Sequence, residues 1–214
     1  MKKFIILLLA LSIFQTKAQD KSRILGDSVV WFGIDFTKSR MIGEFSNFSG
    51  IDDQKPKLKD GMIPAWNTII LNEQKKYDVC KFFHKKHVYF DLNPVTNINA
   101  TIDEDLLRTF NDFSFKNPEE AVASAVNALP KGEKTSGLGL VFVVEYFNKV
   151  KTEGSIYVTF FDIATRQLIY SQRITAKPHG MGLRNYWAGC IYDIMQSVDN
   201  DYYKAWKKQF KTKK

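Results

Sequence analysis

The chain has 214 residues, 44% hydrophobic and 14% aromatic, with a formal charge of +8. That composition excludes a disordered chain and suits a single domain with a sizeable core. Its two cysteines exclude a disulfide framework.

Residues 1–19 read as a secretory signal peptide. Lys2 and Lys3 form a positive start, and Phe4 to Phe14 is apolar except for Ser12. Thr16-Lys17-Ala18 supplies small residues three and one before a cut. The apolar run, about 11 residues, is too short for a bilayer, which takes about 20. No cysteine stands near the cut, so the expected product is periplasmic or secreted and not a lipoprotein. Removing Lys2, Lys3 and Lys17 lowers the charge from +8 to +5. An exported protein does not meet nucleic acid. The lysines of its two clusters, Lys81/Lys85/Lys86 and Lys204, Lys207, Lys208, Lys211, Lys213 and Lys214, suit an anionic lipid, glycan or polymer. The plainer reading of the second cluster is a solvated helix end that complements its own dipole.

After a polar leader, residues 20–28, one globular domain is predicted over residues 29–214. Val29 to Phe36 (VVWFGIDF) reads as a strand buried on both faces. A loop follows to about Gly61. Pro64 then opens a helix whose Trp66, Ile69, Ile70, Tyr77 and Cys80 share one face. Val88 to Leu92 is a short strand closed by Asn93-Pro94. Asp103 to Phe115 suggests a short helix. Asn117-Pro118-Glu119-Glu120 starts another, capped by Asn117 and ended by Pro130-Lys131-Gly132.

Leu138 to Phe147 (LGLVFVVEYF) is a central strand, and Ile156 to Phe161 and Leu168 to Thr175 follow it across short connections. Leu183, Trp187, Cys190, Ile191, Ile194, Val198, Tyr202 and Trp206 mark a closing helix from about Leu183 to Lys208. The predicted fold is α/β (α+β). It has a single mixed β-sheet with a three-stranded antiparallel meander, flanked by helices including the long C-terminal one.

The run GLGLVFVVEY, the hairpin turn Phe161-Asp162-x-x-Thr165-x-x-Leu168 and the closing helix resemble the TolB amino-terminal domain, CsgG-type proteins and outer-membrane activators of peptidoglycan synthases. The element order matches from Val29 to Lys208, the residue pattern only from Leu138 to Ile194. The whole chain also resembles a secreted family of Bacteroidota whose activity is not assigned. These resemblances imply an envelope interaction module rather than an enzyme.

Three clusters are candidates for chemistry. His179, Gly180, Gly182 and Arg184 lie in a loop before the last helix, where free N–H groups and a guanidinium suit an anion. The competing reading is a connection that needs glycine for its backbone angles. Asp35 and Lys38 stand at the carboxyl end of the first strand, where ligand clefts form in open α/β sheets. His84 and His87 have metal-compatible spacing, but no clear further ligands and two intervening lysines. Cys80 and Cys190 permit one disulfide or equally two buried thiols. Tyr186, Tyr192 and Tyr203 fall off the main stripe of the last helix and suit a partner.

No catalytic residue, cofactor or metal is assigned. The function expected is an exported, non-enzymatic envelope binding module. The alternative is a small-ligand or anion binder, or an enzyme, that joins the His179–Arg184 loop to Asp35 and Lys38 in one pocket. Self-association through the exposed edge of Leu168–Thr175 is a further expectation.

Overall fold

The computed structural model describes residues 20–45 and 57–211. The predicted signal peptide, Lys213 and Lys214 lie outside them. In chain order the strands are β1 (Ser28–Asp35), β2 (Arg40–Ile42), β3 (His87–Phe90), β4 (Arg108–Thr109), β5 (Leu138–Asn148), β6 (Glu153–Asp162) and β7 (Leu168–Ala176). The helices are α1 (Ile63–Asn72), α2 (Val79–Phe82), α3 (Asn93–Asn99), α4 (Glu104–Leu107), α5 (Pro118–Ala128), α6 (Gly182–Ser197) and α7 (Tyr203–Phe210). A π-helical turn, Val198–Tyr202, joins α6 to α7.

The sheet corrects the predicted fold class. Its main run, β3-β1-β5-β2-β4, is parallel at every pairing, so the fold is not organised around an antiparallel meander. The sequence reading lacked β2 and β4, three and two residues long, which carry too little pattern to register as strands. It therefore missed that the amino-terminal half crosses over repeatedly to build a parallel sheet. β5 takes β1 along its first half and β2 along its last three residues. Outside that run, β6 pairs with β5 and β7 with β6, both antiparallel.

All eleven residues of β5 are buried because both faces of the sheet are covered. One face packs Trp31, Ile34, Phe36, Phe142 and Phe147 against α1, α2, α6 and α7. Phe147 stacks on Trp187 of α6 with centroids 4.4 Å apart. The other face packs Val30, Phe32, Val141 and Val143 against α3 and α5.

Other local expectations change. The helix from Pro64 breaks after Asn72 and resumes at Val79. Asn93-Pro94 does not simply close a strand; Pro94 sits in the first turn of α3. The predicted helix Asp103–Phe115 shrinks to α4, after which the chain extends into β4. Asn117 makes no side-chain cap bond and instead reaches Glu120 Oε2 at 2.9 Å.

The polar leader is part of the packed domain. Lys21–Leu25 forms a 3-10 turn with Ile24 buried, and Lys85 Nζ donates to the carbonyls of Ile24 and Gly26. Burial pushes the Lys85 amine down to about 8.

β3 pairs with β1 only as far as Trp31–Phe90, which leaves the last residues of β1 without a strand on that side. Two side-chain amides take its place. Asn67 of α1 accepts from Ile34 N at 2.7 Å and donates to Ile34 O at 3.0 Å. Asn99 of α3 accepts from Phe36 N at 2.9 Å and donates to Ile34 O at 2.9 Å. Gly33, at φ +108°, admits this approach, because a Cβ there would stand 2.6 Å from Asn67 Oδ1. Asn67→Ala leaves the Ile34 N–H buried without a partner and should cost about 2–3 kcal/mol in urea unfolding. Thr68→Ala, one position along on the exposed face, should cost much less.

Candidate functional site at the carboxyl edge of the sheet

Asp35 is buried at the end of β1. Its Oδ1 accepts from Thr37 N at 2.7 Å. Its Oδ2, and the Thr37 hydroxyl, have no hydrogen-bond partner among the described residues. Burial drives the Asp35 carboxyl above its ordinary range, against weaker opposing effects from Thr37 and Lys38. Asp35 aligns with Val143 and so belongs to the α3/α5 face.

On that same face Lys38 lines an open groove of about 640 Å³, with Asp112 to Asn117 and Glu120, Ala121 and Ser124 of α5. Glu145 fixes the groove's wall. This buried carboxylate on β5 accepts from Phe115 N at 2.8 Å, Ser155 Oγ at 2.7 Å and Arg173 Nε at 2.7 Å. With its charge paired and its oxygens used, Glu145 is a structural anchor.

Beside the Asp112 end of the groove lies an apolar corner, where Phe110 is 78% exposed and Val150 74%. Gly43 N donates to Thr109 O at 2.8 Å, and Lys151 Nζ meets Asp112 Oδ1 at 2.9 Å. The second link ties the stretch after Phe110 to the β5–β6 turn that carries Val150, and the first brings Gly43 beside the strand that precedes Phe110. Gly43 sits at φ +94°, and a Cβ there would meet Val150 Cγ2 at 3.0 Å. The Arg40 guanidinium lies 5.0 Å from the Phe113 ring centre. Charges of both signs surround the corner.

The other predicted cluster lies elsewhere. His179–Arg184 leads into α6, which packs on the opposite face from Asp35. The four side chains therefore do not converge, and the composite pocket is corrected: alternation along β1 sends Asp35 away from α6. His179 Nε2 contacts Asp193 Oδ1 at 3.1 Å, and His179 N donates to Tyr186 O at 3.0 Å. Arg184 reaches Asn185 Oδ1 at 2.9 Å and Glu73 Oε1 at 3.3 Å. Gly180 (φ +116°) and Gly182 (φ +77°) serve the backbone of this strap. The strap crosses the helix where a Cβ on Gly189 would fall 2.2 Å from His179 O.

His84 and His87 do not share a site. His84 Nε2 pairs with Asp199 Oδ1 at 2.6 Å, and its ring stacks on Tyr203 at 3.9 Å. His87 begins β3, and its N–H donates to Asp27 O. No group of three or more metal-ligating side chains occurs among the described residues. Cys80 and Cys190 are free thiols, which corrects the disulfide option; Cys190 Sγ donates to Ala176 O at 3.4 Å. Tyr192 packs edge-on against Tyr77 and Phe82, and Tyr186 against Trp187, so both serve intramolecular packing.

A smaller crevice of about 270 Å³ lies between α1 and α3, lined by Ile63, Asn67, Leu92, Thr96 and Asn99. It falls just below the range of about 300–1,000 Å³ usual for small-molecule pockets, and its two amides are committed to β1.

No family model, no curated protein and no solved structure matches the chain. The TolB- and CsgG-type resemblance therefore rests on its sequence pattern. The shared turn has a local role here: Asp162 Oδ1 accepts from Thr165 N at 2.9 Å and Thr165 Oγ1 at 3.0 Å.

Sequence reasoning missed the corner and the Glu145 anchor. An acid inside LGLVFVVEYF was a usable signal for Glu145. Phe110 had none, because exposure depends on neighbours brought in by β2 and β5.

Because the Asp35 carboxyl titrates higher folded than unfolded, its stabilising contribution is complete below the unfolded value and lost as pH rises through the folded one. Asp35→Asn should therefore be more stable than wild type at pH 7. Denaturant titrations from pH 7 downward should show the gap closing by about pH 4. A gap that stays constant over this range would contradict an Asp35-specific effect.

Proposed function

We propose that this chain is an exported, non-enzymatic envelope module that binds a protein partner through the carboxyl edge of its sheet. The supporting observation is the exposed pair Phe110 and Val150 near the Lys38 groove. Covering such side chains is worth roughly 1.5–3 kcal/mol each, a large gain for a small area. Apolar contacts with a rim of mixed charge are the makeup of protein interfaces. The rim mixes Lys38, Arg40, Lys116 and Lys151 with Asp112 and Glu120, and Lys151 is paired with Asp112. The candidate titratable groups, by contrast, are separated or engaged within the chain, which speaks against catalysis by the cluster first considered.

A photo-reactive amino acid at position 110, in protein added to envelope extract, should give one discrete crosslinked species. The same probe at exposed Lys131 should not. Val150→Ser should reduce the crosslink at least tenfold while leaving the unfolding midpoint nearly unchanged. Equal crosslinking from both probe positions, or no effect of Val150→Ser, would refute this binding surface.

A further inference from the structure

At the other end of the molecule, α7 divides into two stripes. Tyr203, Trp206 and Phe210 turn inward, with Trp206 packed edge-on against Phe160 and Tyr170, and Phe210 against Tyr170. Lys204, Lys207, Lys208 and Lys211, spaced i, i+3, i+4 and i+7, form one exposed stripe. The other exposed positions between them are Ala205 and Gln209. No ion pair joins any of these four lysines among the described residues. Lys21 of the amino-terminal turn extends the positive field, its Nζ 5.7 Å from the Phe210 ring centre.

Like charges three and four apart repel, whereas alternating Glu and Lys at the same positions would stabilise the helix. The helix dipole favours cations in the last turn, but its effect fades beyond that turn and does not reach Lys204. The nearby acids are otherwise placed. Asp199 is paired with His84, and Asp201 lies in the π-helical turn before α7.

We propose that the stripe of Lys204, Lys207 and Lys208 of α7 with Lys211 just after it docks the protein on an anionic phospholipid surface. A helix presents these ammonium groups as a convex ridge about 10 Å long, which a flat headgroup layer meets along its whole length. A single-signed ridge suits a negative surface, in contrast to the mixed-charge corner around Phe110. The inference does not depend on the carboxyl-edge reading, since the two surfaces share no residue.

The test is co-sedimentation of the full-length exported chain with vesicles of phosphatidylcholine, pure or with about one-third phosphatidylglycerol. Binding is expected only to the anionic vesicles and should fall steeply as salt rises. Lys204→Glu with Lys208→Glu should lower the partition coefficient at least tenfold, and the Gln pair should lower it less. Lys75→Glu with Lys131→Glu makes the same charge change elsewhere and should reduce binding no more than threefold. Circular dichroism confirms folding of each variant. Absence of binding to anionic vesicles, equal loss in the two Glu pairs, or binding to a soluble polyanion without vesicle binding would overturn the proposal.

Discussion

Two carboxamides hold the centre of this fold. Where β3 ends, β1 continues with unpaired edge groups among buried side chains, and an unpaired backbone N–H there is costly. Asn67 and Asn99 answer the Ile34 and Phe36 amides and the Ile34 carbonyl much as a neighbouring strand would. They come from helices on opposite faces, α1 and α3. One short stretch of backbone thus registers both helical layers to the same strand. Gly33 is the matching requirement on the strand, since any side chain would occupy the place of the Asn67 oxygen.

That clamp shapes what the carboxyl edge can do. In open α/β sheets this edge usually opens into a ligand crevice. Here the crevice beside β1 is narrowed by the two amides, and β2 carries the line of β1 onward beside β5. The accessible surface is displaced outward, to the groove under Lys38 and the corner at Phe110 and Val150. Glu145 and Asp35 show two fates of a buried acid on the same face. Glu145 is paired with Arg173 and accepts three hydrogen bonds, whereas Asp35 has one oxygen satisfied and a carboxyl shifted upward by burial. At the opposite edge α7 turns its aromatic stripe inward and its lysines outward. The two ends of the molecule therefore offer different chemistry, apolar with mixed charge at one and basic at the other.

Much of the element content was legible in the residues. The β5 run, the hairpin turn at Asp162 and the closing helix carry strong, long patterns, and each of these elements appears close to its expected bounds. Strand direction in the main run was not legible, because parallel pairing with β1 and β2 depends on crossovers rather than on a local signal. Nor was the clamp. Asn67 sits on an apolar helical pattern where an amide looks like a surface residue, and its partner backbone is 33 positions away. The His179 loop was legible as a glycine-dependent connection, and its glycines are explained by the strap over Gly189. Its separation from Asp35 follows from which face each residue of β1 takes, and the bulge between Trp31 and Gly33 disturbs that alternation.

The most direct test of the clamp is native-state hydrogen exchange at the Ile34 and Phe36 amides. Bonded to buried side chains that open only with the helices, both should exchange as slowly as Val141 and Phe142 in β5, near the limit set by global unfolding. Exchange at the rate of exposed loop amides such as Lys38 would contradict it, and would mean that β1 effectively ends where β3 does.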